Sequence, residues 1–143
     1  MNKQKFVYLS LRLTMGFIFL WAFLDKTFGL GFATAPAKSW INGGSPTTGF
    51  LSFGTKGPFA EVFQNLAGVA VVDWLFMLGL LFVGTTLLFN KYVKWGCLVG
   101  MLMMILMWLA TLFPENNPII DEHIIYLLVL AAISIKNSKS LNV

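Results

Sequence analysis

Four long apolar stretches constrain this chain more than any other feature of its sequence. We predict helices over about 6–28, 69–89, 95–113 and 119–135. Each stretch is close to the roughly 20 residues that a helix needs to cross ~30 Å of hydrocarbon. A segment such as 98–109 is apolar on every face of a helix, whereas a strand of a membrane barrel would alternate apolar and polar residues. The stretches therefore predict transmembrane helices.

The composition agrees with a membrane location. Of the 143 residues, 57% are apolar, and the mean hydropathy is +0.77. A soluble domain of this size could not bury so much apolar surface, so membrane lipids must supply the apolar surroundings. We therefore expect one all-α domain over 1–143, an integral membrane four-helix bundle.

The basic residues predict the orientation of this domain in the membrane. Four crossings bring the two ends of the chain and the connection between the second and third helices to one side. Lysines concentrate in those segments: Lys3, Lys5, Lys91, Lys94, Lys136 and Lys139. Because cytoplasmic segments are enriched in lysine and arginine, we expect both termini in the cytoplasm and the protein in the cell membrane. The net charge of +4 is thus explained without a nucleic-acid partner.

The segment 29–68 is predicted to be a long extracytoplasmic loop that contains short interfacial helices. Pro36 favours the first position of a helical turn that carries Trp40 and stops at Asn42-Gly43. A second helical face follows Pro58. We expect the loop to cover the outer membrane surface as a lid, with its aromatic side chains at headgroup depth.

Arg12 is a charged residue inside the first apolar stretch, near its cytoplasmic start. It lies roughly 9 Å into the first helix, where its guanidinium can still reach the lipid headgroups. The alternative is that Arg12 points into the bundle, since a charge in the membrane needs a partner. The candidate partners for that arrangement are the hydroxyl groups of Ser10, Thr14, Thr85 and Thr86.

Acidic groups and the single histidine gather at the predicted outer interface. Asp25 and Lys26 end the first helix, Asp73 begins the second, and Asp121, Glu122 and His123 begin the fourth. His123 can exchange a proton near neutral pH, and Tyr126 follows one turn deeper. Such a polar, acidic pocket could bind the carbonyl groups of a quinone. The alternative is that these carboxylates only cap helix N-termini.

Several classes of redox centre are not expected. One histidine and one cysteine, Cys97, cannot ligate haem, an iron–sulfur cluster or a structural zinc ion. A lone cysteine also excludes a dithiol relay within the chain, and we interpret it as a small buried apolar residue. Any electrons must therefore be carried by a partner or by a diffusible cofactor such as quinone.

Nearly the whole chain resembles the DoxX/DoxD family of small four-helix membrane proteins. The motifs that carry the resemblance are RLTMGFIFLWAFLDK at 12–26, GGSPTTGFL at 43–51, GPFA at 57–60, VDWLF at 72–76 and NPIIDEHIIY at 117–126. The family includes a subunit of thiosulfate:quinone oxidoreductase. The resemblance thus implies a membrane subunit that passes electrons from a reduced sulfur compound to quinone, together with a soluble or membrane redox partner.

The candidate site follows from the outer cluster and from this resemblance. The catalytic candidates are His123, Asp121 and Asp25. The candidates for binding a ligand or quinone headgroup are Arg12, Lys26, Trp21, Asp73, Glu122, Tyr126 and Trp40. No metal ligands are expected.

Other functions stay open at the level of sequence. The same charges would serve a non-enzymatic membrane assembly or structural protein, or a small-molecule carrier, by capping helices and joining the loop to the bundle. A homo-oligomer is a further alternative, because Gly96 and Gly100 form a small-residue face that could pack within or between protomers. The sequence does not decide whether the protein is an enzyme.

Overall fold

A computed structural model describes residues 2–115 and 117–140, with side chains described as far as Asn137. Four long helices dominate the described part of the chain, and it contains no β-strand. The helices are α1 (Lys3–Phe28), the short α2 (Ala60–Gln64), α3 (Ala70–Phe89), α4 (Val93–Ala110) and α5 (Glu122–Ser140).

The four long helices pack in a cyclic order. Helix α1 packs on α3, α3 on α4, and α4 on α5, while α5 returns to α1 through a smaller contact. The side chains of Met77, Val83, Leu130 and Ile133 are fully buried between them.

Small residues allow close helix packing inside this arrangement. A Cβ atom at Gly84 would lie 2.7 Å from the backbone nitrogen of Leu20, so α1 and α3 touch at the backbone there. Gly96 lies against Thr86, and Gly100 against Val83 and other core side chains. The small-residue face of α4 is therefore used within the chain. The interpretation of Cys97 as a buried apolar residue is confirmed, since its side chain is fully buried.

Three described helices, α1, α3 and α4, are long and apolar enough to cross a membrane. Large apolar side chains such as Phe17, Leu75 and Leu102 are exposed on their outer faces, as contact with lipid requires. The chain is thus a membrane protein. Helix α5 does not reach the same standard of length and apolarity, because its apolar part, 124–135, spans only ~18 Å.

Two helix ends differ from the prediction, for local reasons. Helix α4 ends at Ala110 rather than near 113, and the Thr111 hydroxyl donates to the Met107 carbonyl at 3.1 Å just after it. Helix α5 begins at Glu122 rather than 119, because Asn117 Oδ1 accepts from the backbone N–H groups of residues 119 and 120, both at 2.9 Å. Those two hydrogen bonds hold 119 and 120 in a turn.

The long loop contains the short helical turns that the sequence predicts, and one more. Two 3-10 turns cover Pro36–Lys38 and Trp40–Asn42, and the second ends at Gly43, whose φ is 85°. A π-helical turn over Phe50–Gly54 was not predicted. The Trp40 and Trp74 rings pack edge to face at 4.6 Å, so the loop contacts the start of α3.

All six acidic residues lie at one end of the helices, and five of the described lysines lie with Arg12 at the other. Arg12, near the start of α1, contacts Leu87 at the end of α3, so those two helix ends lie together. We call this the lysine end, because Lys3, Lys5, Lys91, Lys94 and Lys136 also lie there. The opposite end, which holds the long loop, the end of α1 and the starts of α3 and α5, we call the acidic end. All six acidic residues of the sequence belong to it.

Candidate functional site

Asp25 is buried at the end of α1 and binds the loop that follows. Its side chain is 2% exposed, and its two carboxylate oxygens accept from successive backbone N–H groups, Phe32 at 3.2 Å and Ala33 at 2.9 Å. A carboxylate with one donor on each oxygen is well suited to fixing a loop. Asp25 therefore holds the first turn of the long loop against α1.

Asp73 has the same role at the start of α3, with side-chain donors from the loop. One of its oxygens accepts from the Ser45 hydroxyl at 2.8 Å, the Thr47 hydroxyl at 2.5 Å and the Thr47 backbone N–H at 3.2 Å. Asp73 and Thr47 are 7% and 5% exposed. Asp73, Ser45 and Thr47 together hold the middle of the loop against the helices. Thr47 lies 26 residues before Asp73 in the chain.

Asp121 and His123 form a half-buried pair at the start of α5. Asp121 Oδ2 lies 2.8 Å from His123 Nδ1, and Oδ1 accepts from the backbone N–H groups of His123 at 3.0 Å and Ile124 at 3.3 Å. Asp121 is therefore the N-cap of α5. The Thr111 hydroxyl, just after α4, lies 3.5 Å from Oδ2. The pair thus joins the end of α4 to the start of α5.

Asp121 stays ionised at neutral pH. Burial alone raises the pKa of its carboxyl, but the hydrogen bond and charge of His123 and the backbone N–H groups of Ile124 and His123 together hold that pKa below its ordinary value. With Asp121 Oδ2 beside Nδ1, the imidazole is oriented so that Nε2 is left for other partners. No partner for Nε2 is found within 2–115 and 117–140.

Arg12 lies at the opposite end from these groups and points inward. Its side chain is 7% exposed, and its guanidinium donates to the Leu87 carbonyl and, at 3.4 Å, to the Leu88 carbonyl. The candidate hydroxyl partners are not used. Arg12 instead caps the C-terminal carbonyls of α3, where a cation also interacts favourably with the helix dipole.

The other candidate residues are spread over the acidic end. Lys26 Nζ lies 6.0 Å from the centre of the Phe76 ring. The Trp21 ring stacks on the Phe17 ring, with 5.7 Å between the ring centroids. Trp21, Asp25 and Lys26 line one cavity of about 310 Å³.

Glu122 is exposed to the surroundings, whereas Tyr126 is half-buried against the core and Trp40 packs on Trp74. Among the described residues, no hydrogen bond joins Asp25, Asp73 and the Asp121–His123 pair to one another. Separate sets of hydrogen bonds therefore hold Asp25, Asp73 and the Asp121–His123 pair.

The cavity under the loop is apolar, which differs from the polar, acidic pocket expected there. It has a volume of about 450 Å³ and lies between the loop, α3 and α4. Apart from Thr47 and Gly79 its lining is apolar, and it includes Phe50, Phe63, Phe76, Leu106 and Met107. We call it the loop cavity. It differs from the expectation because the carboxylates point into the loop backbone and hydroxyl groups instead.

No family model, curated protein or solved structure matches this chain. Its function must therefore be argued from its own residues and geometry. Within the part of the chain that the structure describes, no three His, Cys, Asp or Glu side chains lie close enough to hold a metal ion together.

Sequence reasoning missed the hydroxyl groups that partner the carboxylates. Ser45 and Thr47 lie in a hydroxyl-rich loop segment, 45–48, but nothing in the sequence pairs that segment with Asp73. Thr111 was included in a predicted helix, which concealed its contact with Asp121. Only the folded chain brings these groups together.

Proposed function

We propose that this protein is a DoxX-type membrane subunit that binds a quinone and, with a partner subunit, passes electrons to it from a reduced sulfur compound. One observation carries the proposal: an apolar cavity of about 450 Å³ is linked through the chain at 110–111 to the hydrogen-bonded Asp121–His123 pair. Ala110 lines the loop cavity, and the next residue, Thr111, contacts Asp121. The resemblance of the sequence motifs to those of the DoxX/DoxD family supports the same function.

The chemistry assigns a role to each part of this arrangement. Reduction of a quinone to a quinol takes two electrons and two protons. The electrons come from oxidation of the sulfur compound on the partner subunit. With a quinone bound, His123 would donate a ring proton to a quinone carbonyl oxygen and be reprotonated from water, while Asp121 orients the imidazole. The second proton reaches the other carbonyl from water at the interface.

In the proposed topology the chain crosses the cell membrane four times, as a four-helix bundle. Helix α5 is the fourth crossing, and the side chain of Lys136 extends its short apolar part toward the headgroups. The lysine end and both termini lie in the cytoplasm. The acidic end, with the long loop and the Asp121–His123 pair, lies outside, where short helical turns rest at the interface.

The test compares two variants of neighbouring residues in reconstituted membranes. With His123→Gln we expect the rate of quinone reduction by the complex with its electron-donating partner to fall ~100-fold or more, since general acid catalysis contributes ~10²–10⁴. The exposed neighbour Glu122 provides the control, and Glu122→Gln should retain full activity. Equal activity of all three proteins would disprove the role of His123.

A binding measurement tests the cavity without the partner subunit. Organic extraction of the purified protein, followed by mass spectrometry, should recover quinone. The variant Leu106→Trp fills the loop cavity and should lose that quinone, whereas His123→Gln should retain it. Extracts of the unaltered protein that contain no quinone, even after incubation with added quinone, would refute the proposal.

A second function is favoured by the hydrogen bonding of the carboxylates. Asp25, Asp73 and Asp121 each hold the loop or cap a helix, as a non-enzymatic assembly or structural protein or a small-molecule carrier would need. In that case a substitution of any of these carboxylates would lower the stability of the fold and impair assembly to the same degree. No loss of electron transfer beyond that explained by unfolding would be seen. Absence of bound quinone together with an intact fold would favour this second function.

A further inference from the structure

A second large cavity lies at the lysine end, between the first turns of α1 and the last turns of α5. It is an open cleft of about 450 Å³. Its lining consists of Lys3, Gln4, Val7, Tyr8, Leu11, Ala132, Ile133 and Lys136. We call it the α1–α5 cleft. It occurs where the contact between neighbouring long helices is smallest, so the helices leave a gap there.

The mouth of the α1–α5 cleft carries positive charge that no acidic residue neutralises. Lys3 and Lys136 are exposed, and neither forms an ion pair with a described residue. All six acidic residues belong to the opposite end of the helices. Arg12 lies at the same end of the helices but does not line the cleft, because its guanidinium is buried against the Leu87 and Leu88 carbonyls. The lysine end therefore attracts anions.

The floor of the cleft is apolar. Val7 and Leu11 are half exposed on α1, and Ile133 closes the bottom from α5. The lining also includes Tyr8 and Gln4, whose hydroxyl and amide groups can donate hydrogen bonds to an anion. A ligand that fits must therefore combine an anionic group with a long apolar chain.

We propose that the α1–α5 cleft binds one anionic phospholipid. Its phosphate lies between Lys3 and Lys136, and one acyl chain follows Val7, Leu11 and Ile133 into the gap between the helices. A membrane already supplies such a molecule at this depth, because basic clusters at helix ends attract anionic headgroups. The lipid would bridge the two helices that contact each other least. This inference does not depend on quinone binding.

The experiment measures binding of the first lipid to the full-length protein in neutral detergent, by native mass spectrometry. The probes are phosphatidylglycerol and phosphatidylcholine with identical acyl chains. For the double variant Lys3→Gln/Lys136→Gln we expect affinity for phosphatidylglycerol to fall ~30-fold, about fivefold for each lysine. Circular dichroism should show unchanged helix content, since both side chains are exposed.

A matched control distinguishes binding of the lipid in the α1–α5 cleft from nonspecific attraction of anionic lipid to the lysine end. Lys91→Gln/Lys94→Gln removes two exposed lysines from the same end but outside the cleft, and should change the affinity less than threefold. Equal losses in the two double variants would overturn the proposal. So would equal affinity of the unaltered protein for the two lipids, because the phosphate of phosphatidylcholine is neutralised by choline.

A third variant tests the apolar floor without changing the charge. Ala132→Trp fills the cleft and should also weaken binding of phosphatidylglycerol at least tenfold. Retained affinity in this variant would overturn the proposal. Displacement of the lipid by millimolar inorganic phosphate would overturn it as well, since the site would then bind a free anion rather than a lipid.

Discussion

Replacing Asp73 by alanine should release the middle of the long loop from the helices. In the native protein one Asp73 oxygen accepts three hydrogen bonds, two of them from Thr47. After the substitution the buried N–H and hydroxyl of Thr47 lose their acceptor. The loop is then expected to open more often around residues 45–51, while the core packing between α1, α3, α4 and α5 is preserved.

The size of the effect follows from these contacts. A buried donor that loses its acceptor costs ~1–3 kcal/mol, and Thr47 contributes two such donors. Part of that cost is offset, because closing the loop in the variant no longer requires moving the Asp73 carboxylate from water into buried surroundings. We expect a net loss of about 3 kcal/mol in the free energy of local opening. Because each ~1.4 kcal/mol is tenfold, backbone amides in 45–51 should exchange roughly 100-fold faster.

Hydrogen exchange with mass spectrometry on the protein in nanodiscs provides the measurement. Thr47→Val removes only the hydroxyl and should give an intermediate acceleration, since the backbone N–H still reaches Asp73. The control is Glu61→Ala, which removes an exposed carboxylate of the same loop without a hydrogen bond among the described residues. Unchanged exchange in Asp73→Ala, at full helix content, would refute the proposed anchoring.

Two further predictions concern the start of α5 and the packing of α1 on α3. The pKa of Asp121 is below its ordinary value in the folded protein, so its stabilising effect is complete above about pH 4 and is lost as the pH falls through the folded pKa. The protection of the amides in the first turn of α5, measured against their intrinsic exchange rates, should therefore fall below pH 4, and Asp121→Asn should abolish this pH dependence; persistence of the acid response in that variant would contradict the assignment. Gly84→Ala should lower the free energy of unfolding by ~1–3 kcal/mol, because its Cβ would lie 2.7 Å from the Leu20 backbone, whereas Gly49→Ala, with nothing within 4 Å, should be neutral. The stability of the two glycine variants is measured by unfolding in mixtures of neutral detergent and dodecyl sulfate. Equal stability of Gly84→Ala and Gly49→Ala would rule out the close contact between Gly84 and Leu20.

The sequence predicts the membrane helices well, because lipid solvation requires long apolar runs and these are visible residue by residue. The helix over Lys3–Phe28 and the helix over Ala70–Phe89 end where the predicted runs end. The turns at Pro36 and at Asn42-Gly43 could be predicted because proline and glycine act locally on the backbone. The start of α5 could not, because the Asn117 side chain decides it by accepting hydrogen bonds from the backbone N–H groups of 119 and 120, and no local pattern marks the end of α4 at Ala110.

The candidate site depended far more on tertiary structure. The sequence by itself determined that the acids lie at one end of the helices and most of the lysines at the other, since charge cannot remain in the hydrocarbon. It did not determine what those charges touch. Only the packing of the loop gives Asp73 its partner Thr47, brings Arg12 to the Leu87 carbonyl, and leaves an apolar cavity under the loop where a polar one was expected. Contacts between residues far apart in the chain depend on how the helices and the loop fit together, which no local pattern encodes.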